Sequence, residues 1–117
     1  MDEKKTEKMG SVKIADDVLL AIIGLAATDV PGVDSLAGGI RHDMITHYDM
    51  KNISRSIRIS SAEDKSLNAR IALVLDGSAS IPDVMNGVQE KVASAIESMT
   101  GLKMKEISVT VAGVNIA

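Results

Sequence analysis

The chain contains no cysteine, no tryptophan and no phenylalanine, and Tyr48 is its only aromatic residue. The missing cysteines exclude disulfides, thiolate nucleophiles and sulfur-ligated metal sites, and they suit a reducing compartment. The missing aromatics leave the core to aliphatic side chains and the seven methionines. They also leave a single ring for the base stacking on which single-strand nucleic-acid readers depend. Positive charge is not in excess either: the formal net charge is −3, so the chain as a whole repels phosphate backbones and anionic headgroups. Long hydrophobic runs are absent. The longest, Val18 to Ala27, has ten residues, whereas a spanning helix needs roughly 20. The opening Met-Asp-Glu-Lys-Lys lacks the apolar stretch of a secretory signal. These absences lead to an expectation of a cytoplasmic protein with no direct membrane insertion and no nucleic-acid partner.

What is present is the composition of an ordinary globular domain, 45% hydrophobic and 25% charged over 117 residues. Residues 1–9 mix both signs of charge with little to bury, which predicts a disordered N-terminal arm, and residues 10–117 then form one domain. Val12 and Ile14 alternate with polar neighbours as in a short strand. Asp16 and Asp17 open a helix that Pro31-Gly32 must end. From Asp34 to Asn52 no period emerges, and the segment reads as a long connector. Ile53, Arg55, Ile57 and Ile59 alternate as a strand, and Ile71, Leu73 and Leu75, with Val74 on the other side, suit a central one. A capping box of Ser80 and Asp83, with Pro82 in the first turn, starts a helix that Gly101 ends. Its apolar stripe is Val84, Met85, Val88, Val92, Ala95, Ile96 and Met99. Ile107, Val109 and Val111 close the chain as a strand.

The order βαββαβ predicts an α+β two-layer sandwich, with two helices on one face of a mixed, largely antiparallel sheet. A ferredoxin-like strand order accounts for it, and a KH-like sheet fits the same elements. The first helix is apolar nearly all round, although a helix on a sheet needs only one apolar stripe. Leu20 and Leu25 are surplus, and Gly24 permits close approach. Either the connector covers these residues or they form an interface.

No constellation carries catalysis. His42, Asp43, His47 and Asp49 have the composition of a divalent-metal site. Histidines five residues apart, however, converge on neither a helix nor a strand, so the plain reading is a solvated loop. Ser78 and Ser80 lack the flanking glycines of a nucleophile elbow. Gly38-Gly39 and Gly77 match neither a phosphate loop nor a dinucleotide fingerprint. No GXXG loop at a helix junction supports a KH-type RNA grip. The expectation is a protein without enzymatic activity, metal or cofactor. A nucleic-acid module and a metal-dependent enzyme using the His42–Asp49 segment are the alternatives.

Four ordered motifs carry a family resemblance: Val12 to Val18, Ala26-Ala27-Thr28-Asp29-Val30-Pro31-Gly32-Val33, Val88-Gln89-Glu90-Lys91-Val92, and Ile96 to Leu102. Together they resemble the alkaline shock protein family of Gram-positive bacteria. The chain departs from that pattern at Asp76-Gly77 and in the Arg41 to Asn52 segment. The resemblance implies a non-enzymatic scaffold in cell-envelope or alkaline stress. Such a scaffold associates with itself as a homo-oligomer, or docks on a small membrane-anchored protein and so becomes peripheral to the cell membrane. In this chain the candidate interface is Leu20, Gly24 and Leu25.

Overall fold

Leu67–Asp76 alternates buried and more exposed positions over ten residues, and it forms the strand on which the sheet is built. A computed structural model of the chain describes residues 16–47 and 50–116. The expected arm of residues 1–9 and the expected strand at Val12–Ile14 lie outside the described residues. In chain order the elements are α1 (Asp16–Thr28), β1 (Val33–Leu36), a 3-10 helix (His42–His47), the single turn α2 (Met50–Ile53) and β2 (Ile57–Ser61). Then follow β3 (Leu67–Asp76), α3 (Ile81–Thr100) and β4 (Met104–Asn115).

The sheet is mixed. β3 pairs in parallel with β4 along one edge, from Leu67↔Met104 to Asp76↔Asn115. Along its other edge it pairs antiparallel with β2, over Ile57↔Ile71 to Ser61↔Leu67, and with β1, over Val33↔Leu75 to Leu36↔Leu73. β1 and β2 therefore lie end to end beside β3. The gap between them closes at Ala72, whose N–H donates to the Ser56 carbonyl and whose carbonyl accepts from Ala37 N–H. Because strand side chains alternate, Leu67, Ala69, Ile71, Leu73 and Leu75 all face one way and are buried. Val84, Val88, Val92 and Ile96 of α3 and Leu19, Ile22, Ile23 and Ala26 of α1 complete that core. Each of the valines, leucines and isoleucines among them contributes about 1.5–3 kcal/mol by leaving water. The two-layer α+β sandwich with both long helices on one sheet face is the expected architecture.

Three local readings need correction. The segment read as a featureless connector contains β1, a bridge between Leu36 and Ile40 and the 3-10 helix. Ile53, expected to begin a strand, instead ends α2 and is buried. Its spacing of four from Ile57 serves a helical turn as readily as alternation does, and the strand begins only at Ile57. Ser80 occupies the N-cap of α3 as expected, but its hydroxyl makes no capping bond. Gly101 ends α3 as expected, in the left-handed conformation (φ 77°), with its N–H donated to the Glu97 carbonyl at 2.9 Å.

Gly32 lies in the turn that brings the chain from α1 into β1, at φ +97°. A Cβ there would stand 2.6 Å from Val84 Cγ2 and 2.9 Å from Ala79 Cβ. Gly32→Ala should therefore combine left-handed strain with overpacking and cost about 2–4 kcal/mol. Gly38→Ala carries the strain alone, because a Cβ at Gly38 meets nothing within 4 Å, and should cost about 1–2 kcal/mol. Urea titration of the two variants checks the difference; equal losses would mean that α3 does not press on this turn.

A candidate interaction surface between the two long helices

α1 and α3 run antiparallel across the sheet. Asp29, just past the end of α1, meets Lys91 in the middle of α3, and Ile22, about two turns earlier, lines the same groove as Ser98 and Met99 at the end of α3. Their solvent-facing sides leave a shallow groove of about 520 Å³. Its floor is Ile22, Leu25, Ala26 and Ala95, and Met99 stands at one end with 69% of its surface exposed. At the other end the Lys91 ammonium lies 2.6 Å from Asp29 Oδ2. Ser94 and Ser98 form a polar margin along α3.

His42, at the start of the 3-10 helix, joins this rim. Its Nδ1 is 2.8 Å from Thr28 Oγ1, and Thr28 Oγ1 also lies 2.7 Å from the Gly24 carbonyl. A hydroxyl has one proton. Donated to Gly24, it leaves Thr28 accepting from His42 Nδ1–H. This bond ties the segment after β1 to the last turn of α1.

The sequence-derived candidates divide here. Leu20 is 7% exposed, and Gly24 is buried with Ile45, Ile57 and Leu36 methyls around its Cα. The 3-10 helix, which the sequence did not reveal, adds Ile45 to the sheet residues around Gly24, and α2 packs against α1 in the cleft that Leu20 lines. Leu25 alone keeps surface, and it lines the groove. Met99 moves the opposite way: expected in the core stripe of α3, it is exposed, because the buried stripe narrows to Val84, Val88, Val92 and Ile96. The signal that could have found it is position, since Met99 falls in the last turn, beyond the reach of the sheet. The His42–Asp49 segment is not gathered into a site. His42 turns to Thr28 while Asp43 and His47 are exposed, and Asp49 lies outside the described residues. Among the described residues no group of three or more His, Asp or Glu could hold a metal ion.

The other sheet face is polar. Arg58 lies directly opposite Arg70, and Arg70 opposite Ser108. In the next row Asn68 sits between Ser60 and Glu106, and its Oδ1 is buried without a hydrogen-bond partner. Like charges directly opposed across a sheet repel, so this face resists close approach by another cationic surface. Among the described residues no helix is long and apolar enough to cross a membrane.

Comparison with known proteins adds a family and a fold. The model of the alkaline shock protein 23 family, described as having cell envelope-related function, matches residues 4–116. The chain is 29% identical to the uncharacterized protein YqhY of Bacillus subtilis, over 97% of this chain and 83% of that one. It is 28% identical to the uncharacterized protein Spy1535 of Streptococcus pyogenes, over 93% and 82%. Among solved structures it is similar to variants of the MamM CTD. One has a TM-score of 0.59 at 15% identity, covering 87% of this chain and 96% of that one. Another, in a copper form, has a TM-score of 0.57 at 15% identity, covering 85% and 98%. At that identity the likeness is one of fold.

The groove's rim is titratable. The hydrogen bond from Lys91, then its Coulombic attraction, holds the Asp29 carboxyl below the usual carboxylate range; partial desolvation opposes this and His42 adds to it. A carboxylate lowered by folding contributes stability that is fully present above its unfolded value of about 3.9 and is lost as pH falls through the lower folded value. Lys91→Met should return the Asp29 midpoint to the ordinary range in a carboxyl-carbon NMR titration. Because the pair is exposed, high salt should move the wild-type midpoint in the same direction. A midpoint unchanged by both would remove Lys91 as the cause.

Proposed function

The chain belongs to the alkaline shock protein 23 family, of cell envelope-related function, and from that premise we propose that it is a non-catalytic protein-interaction domain of envelope homeostasis. It associates with itself, and it reaches the inner face of the membrane by docking on a small membrane-anchored protein. The observation that carries this reading is the α1/α3 groove. Its apolar floor is open to solvent, it runs between two antiparallel helices, and an exposed methionine stands at one end with an ion pair at the other. A cleft of that shape accepts the apolar face of an amphipathic helix, and methionine adapts its side chain to whatever packs on it. The ion pair and the two serines supply the polar rim that fixes register.

The chain's composition supports the same reading. A net charge of −3 gives no electrostatic attraction to anionic lipid, so residence at the membrane requires a protein that is anchored there. The polar open face, with its opposed arginines, is consistent with a surface that stays in water.

Membrane fractionation of source-organism cells tests the reading. The wild-type chain should sediment with the membranes. Leu25→Glu/Met99→Glu places two carboxylates in the groove and should lower the membrane-bound fraction by about tenfold, as expected when interface anchors are lost. Both positions keep surface in the folded chain, so the far-ultraviolet spectrum should stay the same. An unchanged membrane fraction in the folded double variant would sink the groove as the docking site.

A further inference from the structure

β4 is the longest strand of the sheet, and among the described residues only one of its edges is used. It pairs with β3 throughout, and among the described residues no strand pairs with its other edge. The direction of that free edge is fixed by Gln89 of α3, whose Nε2 donates to the Ile107 carbonyl at 3.1 Å. The Ile107 carbonyl therefore points away from β3. In a strand the N–H and C=O of one residue point to the same side and alternate with those of the next. Val109 and Val111 thus present their backbone groups outward along with Ile107. The alternation is regular between the bulges at Lys105 and Ala112.

Sheet edges of soluble proteins are usually blunted by lysine, proline or a covering element. The stretch Ile107 to Val111 has no charge and no proline. Ile107, Val109 and Val111 pack on the core with half-exposed side chains, so an apolar stripe runs along the margin of the sheet. The side chain of Gln89 is the one cover it has among the described residues.

We infer that this edge pairs antiparallel with β4 of a second copy of the chain, about a two-fold axis at Val109, joining the two sheets into one. A second copy is the occupant because the edge is complementary to itself in this register. Ile107 falls opposite Val111 of the second copy and Val109 opposite Val109, all with outward-pointing groups, so every N–H in the stretch meets a carbonyl. The apolar margins merge on the helix side, and Ser108 meets Thr110 on the open side. At the ends Glu106 falls opposite Ala112 and Lys105 opposite Gly113, so no like charges meet. Pairing displaces Gln89 from the Ile107 carbonyl, which makes the association reversible and weak.

This inference rests on the self-association proposed above and assigns its surface. Sedimentation velocity of the full chain over a wide concentration range tests it. Ser108 and Thr110 are both exposed, so charges there leave the fold intact. Ser108→Glu/Thr110→Glu puts like charges opposite each other twice across the two-fold axis and should raise the dimer dissociation constant by about tenfold. Ser108→Glu/Thr110→Lys puts opposite charges there and should stay within about threefold of the wild type. If both variants dimerise as the wild type does, or both weaken alike, the edge or its register is wrong while self-association stands. If the wild type is a monomer at every concentration, self-association itself fails, and this inference with it.

Discussion

The fold depends on satisfying β3 along both edges while only one of its faces is buried. A ten-residue strand in the middle of a sheet carries donors and acceptors on both sides, and none can be left unpaired without cost. β4 meets that demand continuously on one edge. On the other edge neither neighbour is long enough, and β1 and β2 share the work, with Ala72 bonded to both flanking turns at the seam. The position of nearly everything else follows. α3 must cross over the sheet because β4 is parallel to β3, and α1 packs beside it over the β1–β2 half of the sheet. The groove is the line where the two helices meet.

That arrangement separates three surfaces. The helix side offers an apolar groove with an ion pair at one end. The open sheet face offers opposed arginines among serines and an asparagine. The margin of β4 offers main-chain groups and a stripe of β-branched side chains. At the groove rim His42 is engaged with Thr28 and Asp29 with Lys91, while Glu97 pairs with Lys103 on the outer side of α3. The groove and the β4 margin are the surfaces on which the proposed docking and self-association rest.

Much of the frame was legible in the residues. Gly101, Pro82 and the β3 alternation act locally, through φ, a missing N–H and a period of two, so the sequence alone placed α3 and the central strand. The segment from Asp34 to Asn52 was illegible because its order comes from long-range contacts. Ile45 and Ile53 are buried only because α1 lies over them, and Ser35 and Leu36 are strand only because β3 runs beside them. The same blindness made buried residues look exposed and an exposed one look buried. Leu20 looked surplus while the elements that cover it were unread, and Met99 looked internal while the sheet's extent was unknown. Leu25 stood in both readings, since it lies at the boundary between the buried stripe and the outer face of α1. The family resemblance fared better than the site because it rests on caps, turns and core spacing, which are the features that local chemistry fixes.

The central claim, that this is a binding domain whose copies meet along β4, is reached most directly by amide hydrogen exchange at low and high protein concentration. Outward-pointing N–H groups on a free edge exchange quickly, and those paired across a dimer exchange slowly. The amides of Ile107, Val109 and Val111 should slow as concentration rises, while the exposed amides of the Ser61–Ser66 turn stay unchanged. Exchange at those three positions that does not depend on concentration, in a sample where dimer is present, would contradict it.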